Sequence, residues 1–189
     1  MKTDTTERGL EELIVRHMTG RTDVLVPAHI ATETAVPVAG GTGWLLGDPS
    51  HYDREFCVDL LQLRGFILAT QEHLVEPLQL ETDGPTRQKF LARLQGEITK
   101  RGVIDVLRHG IKHGAHHLDL FYGTPSPENA KAADQNQANR FSVTRQLRYS
   151  RDETQRALDV ALFINGLPVA TFELKNSLTK QTVADAVAQ

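Results

Sequence analysis

Ala157-Leu158-Asp159-Val160-Ala161-Leu162-Phe163-Ile164-Asn165-Gly166-Leu167-Pro168-Val169-Ala170-Thr171-Phe172-Glu173-Leu174-Lys175 is the stretch on which the fold turns. Two apolar runs flank Asn165-Gly166, a pair that tolerates positive φ, so the spacing predicts a β-hairpin. Three charges interrupt these runs, Asp159, Glu173 and Lys175, all toward the end away from the turn. Charges inside apolar strands are costly unless paired or bound to metal. Glu173 and Lys175 stand two apart and share one strand face. Asp159 is harder to bring there. A two-residue loop pairs 164 with 167 and sets Asp159 opposite Phe172, on the other face. A three-residue loop, Ile164-Asn165-Gly166 with a bulge at Gly166, moves Asp159 to the face of Glu173. Convergence of the three charges therefore predicts an odd-length loop or a bulge, and an unbulged two-residue turn would defeat a site built on this strand face.

The residue types suit one chemistry. Two carboxylates with the Leu174 carbonyl offer the hard oxygens that Mg²⁺ prefers, leaving positions for water and a phosphate oxygen. A neighbouring lysine can orient or help deprotonate an attacking water, or stabilise charge building at phosphorus. Asp159, Glu173 and Lys175 thus make a D…ExK pattern suited to metal-dependent phosphodiester hydrolysis. A solvated hairpin end with a Glu/Lys ion pair satisfies the bare pattern equally well.

Around this hairpin the chain is ordinary in bulk and uneven in charge. Its 189 residues are 40% hydrophobic, enough for a sizeable core in one domain. Cys57 is the only cysteine, which rules out an intrachain disulfide and points to a reducing, cytoplasmic setting. No apolar run near the N-terminus could serve as a signal peptide or membrane span. The net charge of −3 conceals an acidic half, residues 1–85 with 6 Lys/Arg against 14 Asp/Glu, and a basic half with 15 against 10. Within 87–112, seven Lys/Arg stand against Glu97 and Asp105. Such a stretch suits a phosphate-tracking surface or simply a solvated helix face.

Upstream, apolar spacing predicts helices over roughly 7–19, 55–76 and 86–101, with a long Gly/Pro-rich connection over 20–54 and short strands near 24–26 and 36–38. His117–Tyr122 alternates like a strand. Thr124–Asn139 reads as a flexible surface loop, followed by strands over Phe141–Tyr149, Leu158–Ile164 and Leu167–Leu174, and a helix from Thr179 to Gln189. Helices lead (1–114) and strands cluster late (115–189), which implies a mixed α/β fold with helices against a central sheet.

Leu158–Pro168 followed by Phe172-Glu173-Leu174-Lys175-Asn176 closely resembles the N-terminal nuclease domain of the restriction (R) subunit of type I restriction-modification enzymes. Asp105–Gly110, Asn139–Ser150, Thr70-Gln71 and Leu10-Glu11-Glu12 resemble further stretches of that subunit, in order along nearly the whole chain. The resemblance implies a PD-(D/E)xK restriction-endonuclease-like fold. It implies Asp159 and Glu173 as Mg²⁺ ligands with the Leu174 carbonyl, Lys175 as catalytic lysine, and Glu11 or Glu12 of the first helix as a further ligand. Gln189 falls where related nucleases carry an accessory glutamine. Leu158 replaces the proline that often precedes the aspartate. Arg145, Gln146 and Arg148 are candidates for DNA contact or for support beside the site.

The implied activity is cleavage of unmodified double-stranded DNA, by a type I site-specific deoxyribonuclease subunit working with methyltransferase (M) and specificity (S) subunits. ATP would serve only a translocating motor. No G-x-x-x-x-G-K-[ST] loop occurs here, so the chain reads as a single nuclease domain, 1–189, truncated at its C-terminal side. A docking module joining motor to methyltransferase, and a stand-alone nuclease, are the alternatives. His109, His113, His116 and His117 have zinc-like spacing, but Gly110 and Gly114 interrupt them and no cysteine supports a site, so they read as surface histidines. Trp44 and Tyr52 read as packing anchors.

Overall fold

A computed structural model describes residues 7–21, 37–150, 152 and 156–175. The expected strand near 24–26 and the helix from Thr179 lie outside the described residues, and 37–38 are not strand. Contacts divide the chain into two compact units. One draws on 1–50, 142–162 and 170–189, the other on 51–141 and 163–169.

The first unit opens with α1 (Glu7–Thr19), whose Val15 is fully buried against Val143 and Val160, with Met18, Trp44 and Leu46 around them. Strand β1 (Leu45–Leu46) runs parallel to a later strand, pairing Leu45 with Ser142 and Leu46 with Val143. The acidic half thus contributes both a helix and a sheet edge to this unit.

The second unit begins with a short antiparallel pair, β2 (Tyr52–Asp53) and β3 (Val58–Asp59). Asp59 then caps α2 (Leu60–Gln71), its carboxylate accepting from the Gln62 N–H at 3.1 Å. That cap sets the helix start later than apolar spacing alone suggests. After Gln71 the chain passes through a 3₁₀ turn into the short α3 (Val75–Leu78), so the expected helix over 55–76 is broken. Helix α4 (Pro85–Arg101) has Pro85 in its first turn, where the missing N–H has no cost. Gly102 separates it from α5 (Val103–His109). Strands β4 (Ile111–His113) and β5 (His116–Leu118) form a tight antiparallel hairpin. Phe66, Ile67, Leu74, Phe90, Leu94, Val106 and Leu118 close the core of this unit.

Two local expectations fail for physical reasons. The alternating 117–122 stretch is paired only as far as Leu118. Beyond it, side-chain carboxamides replace a partner strand. Gln71 grips Asp119, donating Nε2 to its carbonyl at 2.8 Å and accepting its N–H at 3.0 Å. Asn165 Nδ2 donates to the Leu120 carbonyl at 2.8 Å, and Asn136 and Asn139 donate to that of Tyr122 at 2.8 and 2.6 Å. The expected loop over 124–139 holds α6 (Ala130–Gln137), capped by Asn129 on the Ala132 N–H. None of its residues is buried, so no apolar period could announce it.

The late strands are β6 (Phe141–Arg148), β7 (Ala157–Ile164) and β8 (Leu167–Phe172). They extend the sheet in the order β1-β6-β7-β8. The fold is therefore mixed α/β, with a sheet of mixed direction.

Candidate active site

The hairpin carrying the acidic residues is closed by a two-residue turn, Asn165 at φ 51° and Gly166 at φ 83°, and not by the odd-length loop that convergence demands of regular strands. Both positive angles fit the turn that matches strand twist. The expectation fails because it extends strand alternation up to Lys175. The ladder instead stops at Phe172, and residues 173–175 are no longer strand. Past that point a side chain is not bound to a sheet face.

Asp159 sits near the start of β7. Its Oδ2 accepts the Leu174 N–H at 2.7 Å, which draws the chain after β8 over the aspartate. Glu173, the residue before Leu174, is brought close enough for its carboxylate to feel the Asp159 charge. Partial burial and the Asp159 charge push the Glu173 pKa above the ordinary carboxylate range, with Lys175 opposing the shift. Two carboxylates with a lysine beside them thus share one exposed corner. A cation settling between them would relieve their repulsion, so the donor set fits Mg²⁺. Among the described residues no group of three or more His, Cys, Asp or Glu side chains converges.

The first-helix acids take different roles. Glu12 pairs with Arg16 at 3.3 Å on the helix surface. Glu11 is 3% exposed and held by two adjacent residues of β6, an ion pair from Arg145 Nε and a hydrogen bond from Gln146 Nε2 at 2.8 Å. Neighbours on a regular strand point to opposite faces. Gln146 reaches the same carboxylate because its φ is 49°, a left-handed residue inside a strand, as in a β-bulge. The irregularity expected at Gly166 is in β6 instead. From there Gln146 Nε2 also reaches Asp159 Oδ1 at 3.3 Å, joining Glu11 to Asp159 through one amide. Arg145 and Gln146 are therefore held by the site's own carboxylates, whereas Arg148 is exposed near the strand end. Nothing in the sequence pattern signals a left-handed glutamine. Gln189 lies outside the described residues.

Glu11→Gln keeps the shape but removes the buried charge that faces partly buried Arg145. It should destabilise the chain by about 1–3 kcal/mol, read as a lower denaturation midpoint with unchanged slope.

His113 and His116 pair across the β4–β5 hairpin. His109 meets Asp105, His117 meets Asp119 at 3.4 Å, and His113 packs edge-on to Phe90. Trp44 and Tyr52 are packing residues, Tyr52 against Phe163 with centroids 5.9 Å apart.

These features define a mixed α/β protein bearing a carboxylate pair and a lysine at the end of a buried hairpin. The family model of the type I restriction enzyme R protein N terminus matches residues 54–189, and the chain belongs to that family. The match takes in Asp159, Glu173 and Lys175 and begins after Glu11. Neither a curated protein nor a solved structure matches the chain. No helix among the described residues is long and apolar enough to cross a membrane.

Proposed function

We propose that this chain is the Mg²⁺-dependent nuclease part of a type I restriction R subunit, with a PD-(D/E)xK fold. It would cut double-stranded DNA in a complex with M and S subunits, after translocation driven by ATP elsewhere in that complex. The observation that carries the reading is the Leu174 N–H bond to Asp159 at 2.7 Å, which draws the segment bearing Glu173 and Lys175 over that carboxylate past the end of β8.

Asp159 and Glu173 would hold the ion, with the Leu174 carbonyl as a third oxygen. Bound there, Mg²⁺ supplies a lowered pKa for water and a counter-charge for phosphate oxygens. The Leu174 N–H fixes one oxygen of Asp159, and Gln146 restrains the other. The carboxylate is thereby oriented before substrate arrives. Lys175 places an ammonium beside the carboxylates, where it can orient the attacking water and stabilise the charge that builds on the phosphoryl oxygens. Glu11, engaged by Arg145 and Gln146, positions Gln146 beside Asp159.

The raised pKa of Glu173 has a signed consequence. A carboxyl whose folded pKa exceeds its unfolded value binds more protons when folded, so its contribution favours the folded state as pH falls and opposes it above the folded pKa. Glu173→Gln removes the repulsion at neutral pH. The group is exposed, so the change should stay within about 0.5 kcal/mol and should not lower the melting temperature, while cleavage is lost. A marked drop in melting temperature would show that Glu173 is structural.

The decisive experiment is cleavage against ATP hydrolysis in the assembled complex carrying Lys175→Ala. A second reading, a docking module, is favoured by an open groove of about 530 Å³ in the second unit, lined by Leu68, Glu72, Val75, Glu76, Gln79, Glu81 and Thr82. Its acidic rim would suit a basic partner surface. Cleavage retained by the Lys175→Ala complex would favour that reading over the nuclease.

A further inference from the structure

The basic stretch of the second half is not neutralised by its own fold. On α4, α5 and β4 the two carboxylates are consumed locally. Glu97 is shared by Arg93 at 3.0 Å and Arg101 at 2.8 Å, and Asp105 is held by Arg101 and His109. Arg87 is matched by Asp83 at 2.8 Å. Lys89, Lys100, Arg108 and Lys112 then have no carboxylate partner among the described residues.

These charges are ordered on the surface. At 100° per residue, positions 89, 93, 96 and 100 of α4 fall within about 60° of one another, on a stripe that borders buried Phe90 and lies away from buried Leu91 and Leu94. Lys89 and Lys100 are about 16 Å apart along the axis. Position 96 between them is a glycine with open space where a side chain would stand, so nothing shields the stripe at its middle. At one end the β4–β5 hairpin adds His113 and His116, which face each other across its register. His113 packs on Phe90 at 5.6 Å, next to Lys89 in sequence, and the Arg93 guanidinium donates to the Lys112 carbonyl at 3.3 Å. Partial burial first, then the charges of Lys89, Arg93 and His116, hold His113 below the ordinary histidine range. No carboxylate counts among the groups acting on it.

An exposed, linear run of like charges suits a polyanion better than a single small anion. We propose that Lys89, Arg93 and Lys100 of α4, with His113 and His116 at the hairpin tip, form a contact surface for the phosphate backbone of duplex DNA. The surface lies wholly in the second unit, whereas Asp159, Glu173 and Lys175 belong to the first. It reads no sequence, since lysines meeting phosphates position a duplex without specifying bases. Its role is to hold DNA independently of the cleavage chemistry.

The test is binding of a fluorescein-labelled duplex to the 189-residue chain, by anisotropy across a salt series. Lys89→Gln with Lys100→Gln removes two unpaired, exposed charges and leaves the fold intact. Affinity is expected to fall about tenfold or more near 0.15 M salt, and the slope of log K against log salt to flatten by about 1.8. Lys131→Gln, on α6, should change neither. An unchanged affinity and slope in the double variant would overturn the proposal. So would displacement of the duplex by inorganic phosphate beyond the effect of chloride at equal ionic strength, which would indicate a pocket for one anion. Lys175→Ala separates this inference from the nuclease reading. Lost cleavage with binding indifferent to Lys89 and Lys100 defeats the surface alone, and weakened binding with cleavage retained by Lys175→Ala defeats the nuclease alone.

Discussion

A restriction complex assembled with Lys175→Ala or Asp159→Asn in this chain is expected to lose DNA cleavage by at least about a hundredfold while hydrolysing ATP at its normal rate. The size follows from what each group does. Removing one preorganised charge-stabilising group from a hydrolytic site costs about 3–4 kcal/mol of transition-state stabilisation. Asp159 serves the site twice, as carboxylate and as acceptor of the Leu174 N–H that brings Glu173 and Lys175 alongside. The asparagine keeps an oxygen for that N–H, so a loss of cleavage reports the missing charge rather than a displaced chain. ATP hydrolysis is the internal control for assembly. Cleavage at the normal rate by both variants would remove Asp159 and Lys175 from the chemistry.

Gly166→Ala is expected to lower the stability of the chain by about 3 kcal/mol or more, enough to abolish cooperative unfolding in a marginal domain. Gly166 has φ 83°, which costs an alanine about 1–2 kcal/mol before any contact is counted. An added Cβ would also stand 2.7 Å from the Leu63 N–H nitrogen and closer still to the Asp59 carbonyl, both backbone and neither able to swing away. The Gly166 carbonyl meanwhile accepts the Asp59 N–H at 2.9 Å. A thermal melt measures the effect. A melting temperature within a degree or two of wild type would mean that this turn tolerates rearrangement.

Much of the architecture is legible in the amino-acid sequence, and the exceptions share a cause. The helices over 7–19 and 86–101 and the hairpin itself carry strong apolar periods or turn residues, and all three occur. Helix α6 carries none, because it buries nothing. The 119–122 segment misleads because its partner is a set of amides from Gln71, Asn136, Asn139 and Asn165, and long-range amide pairing leaves no trace in local spacing. At the site, Asp159, Glu173 and Lys175 stand out as charges among apolar residues. The manner of their approach does not, because it depends on where a ladder ends and on a left-handed glutamine in another strand. Asn165 is readable as a turn residue but not as a buried one. Its N–H donates to the Arg140 carbonyl at 2.8 Å, its Oδ1 accepts the Arg140 N–H at 2.6 Å, and its Nδ2 reaches Leu120 and Asn139.

That buried turn also sets a timetable for synthesis. Phe163 and Leu167, both without exposed surface, lie in the 163–169 segment that completes a second unit otherwise built from residues 51–141. A nascent chain translated through Phe141 therefore lacks the residues that seal its own core. At ribosomal speeds of about 5–20 residues per second, the missing turn follows within about 1–6 s. Until then Leu63, at the start of α2, lacks the turn that packs against it. The first unit draws on both strands of the same hairpin, the third and fourth of its sheet. Both units thus wait on one short piece of message, and the hairpin that bears Asp159 arrives together with the residues that make the rest of the chain fold.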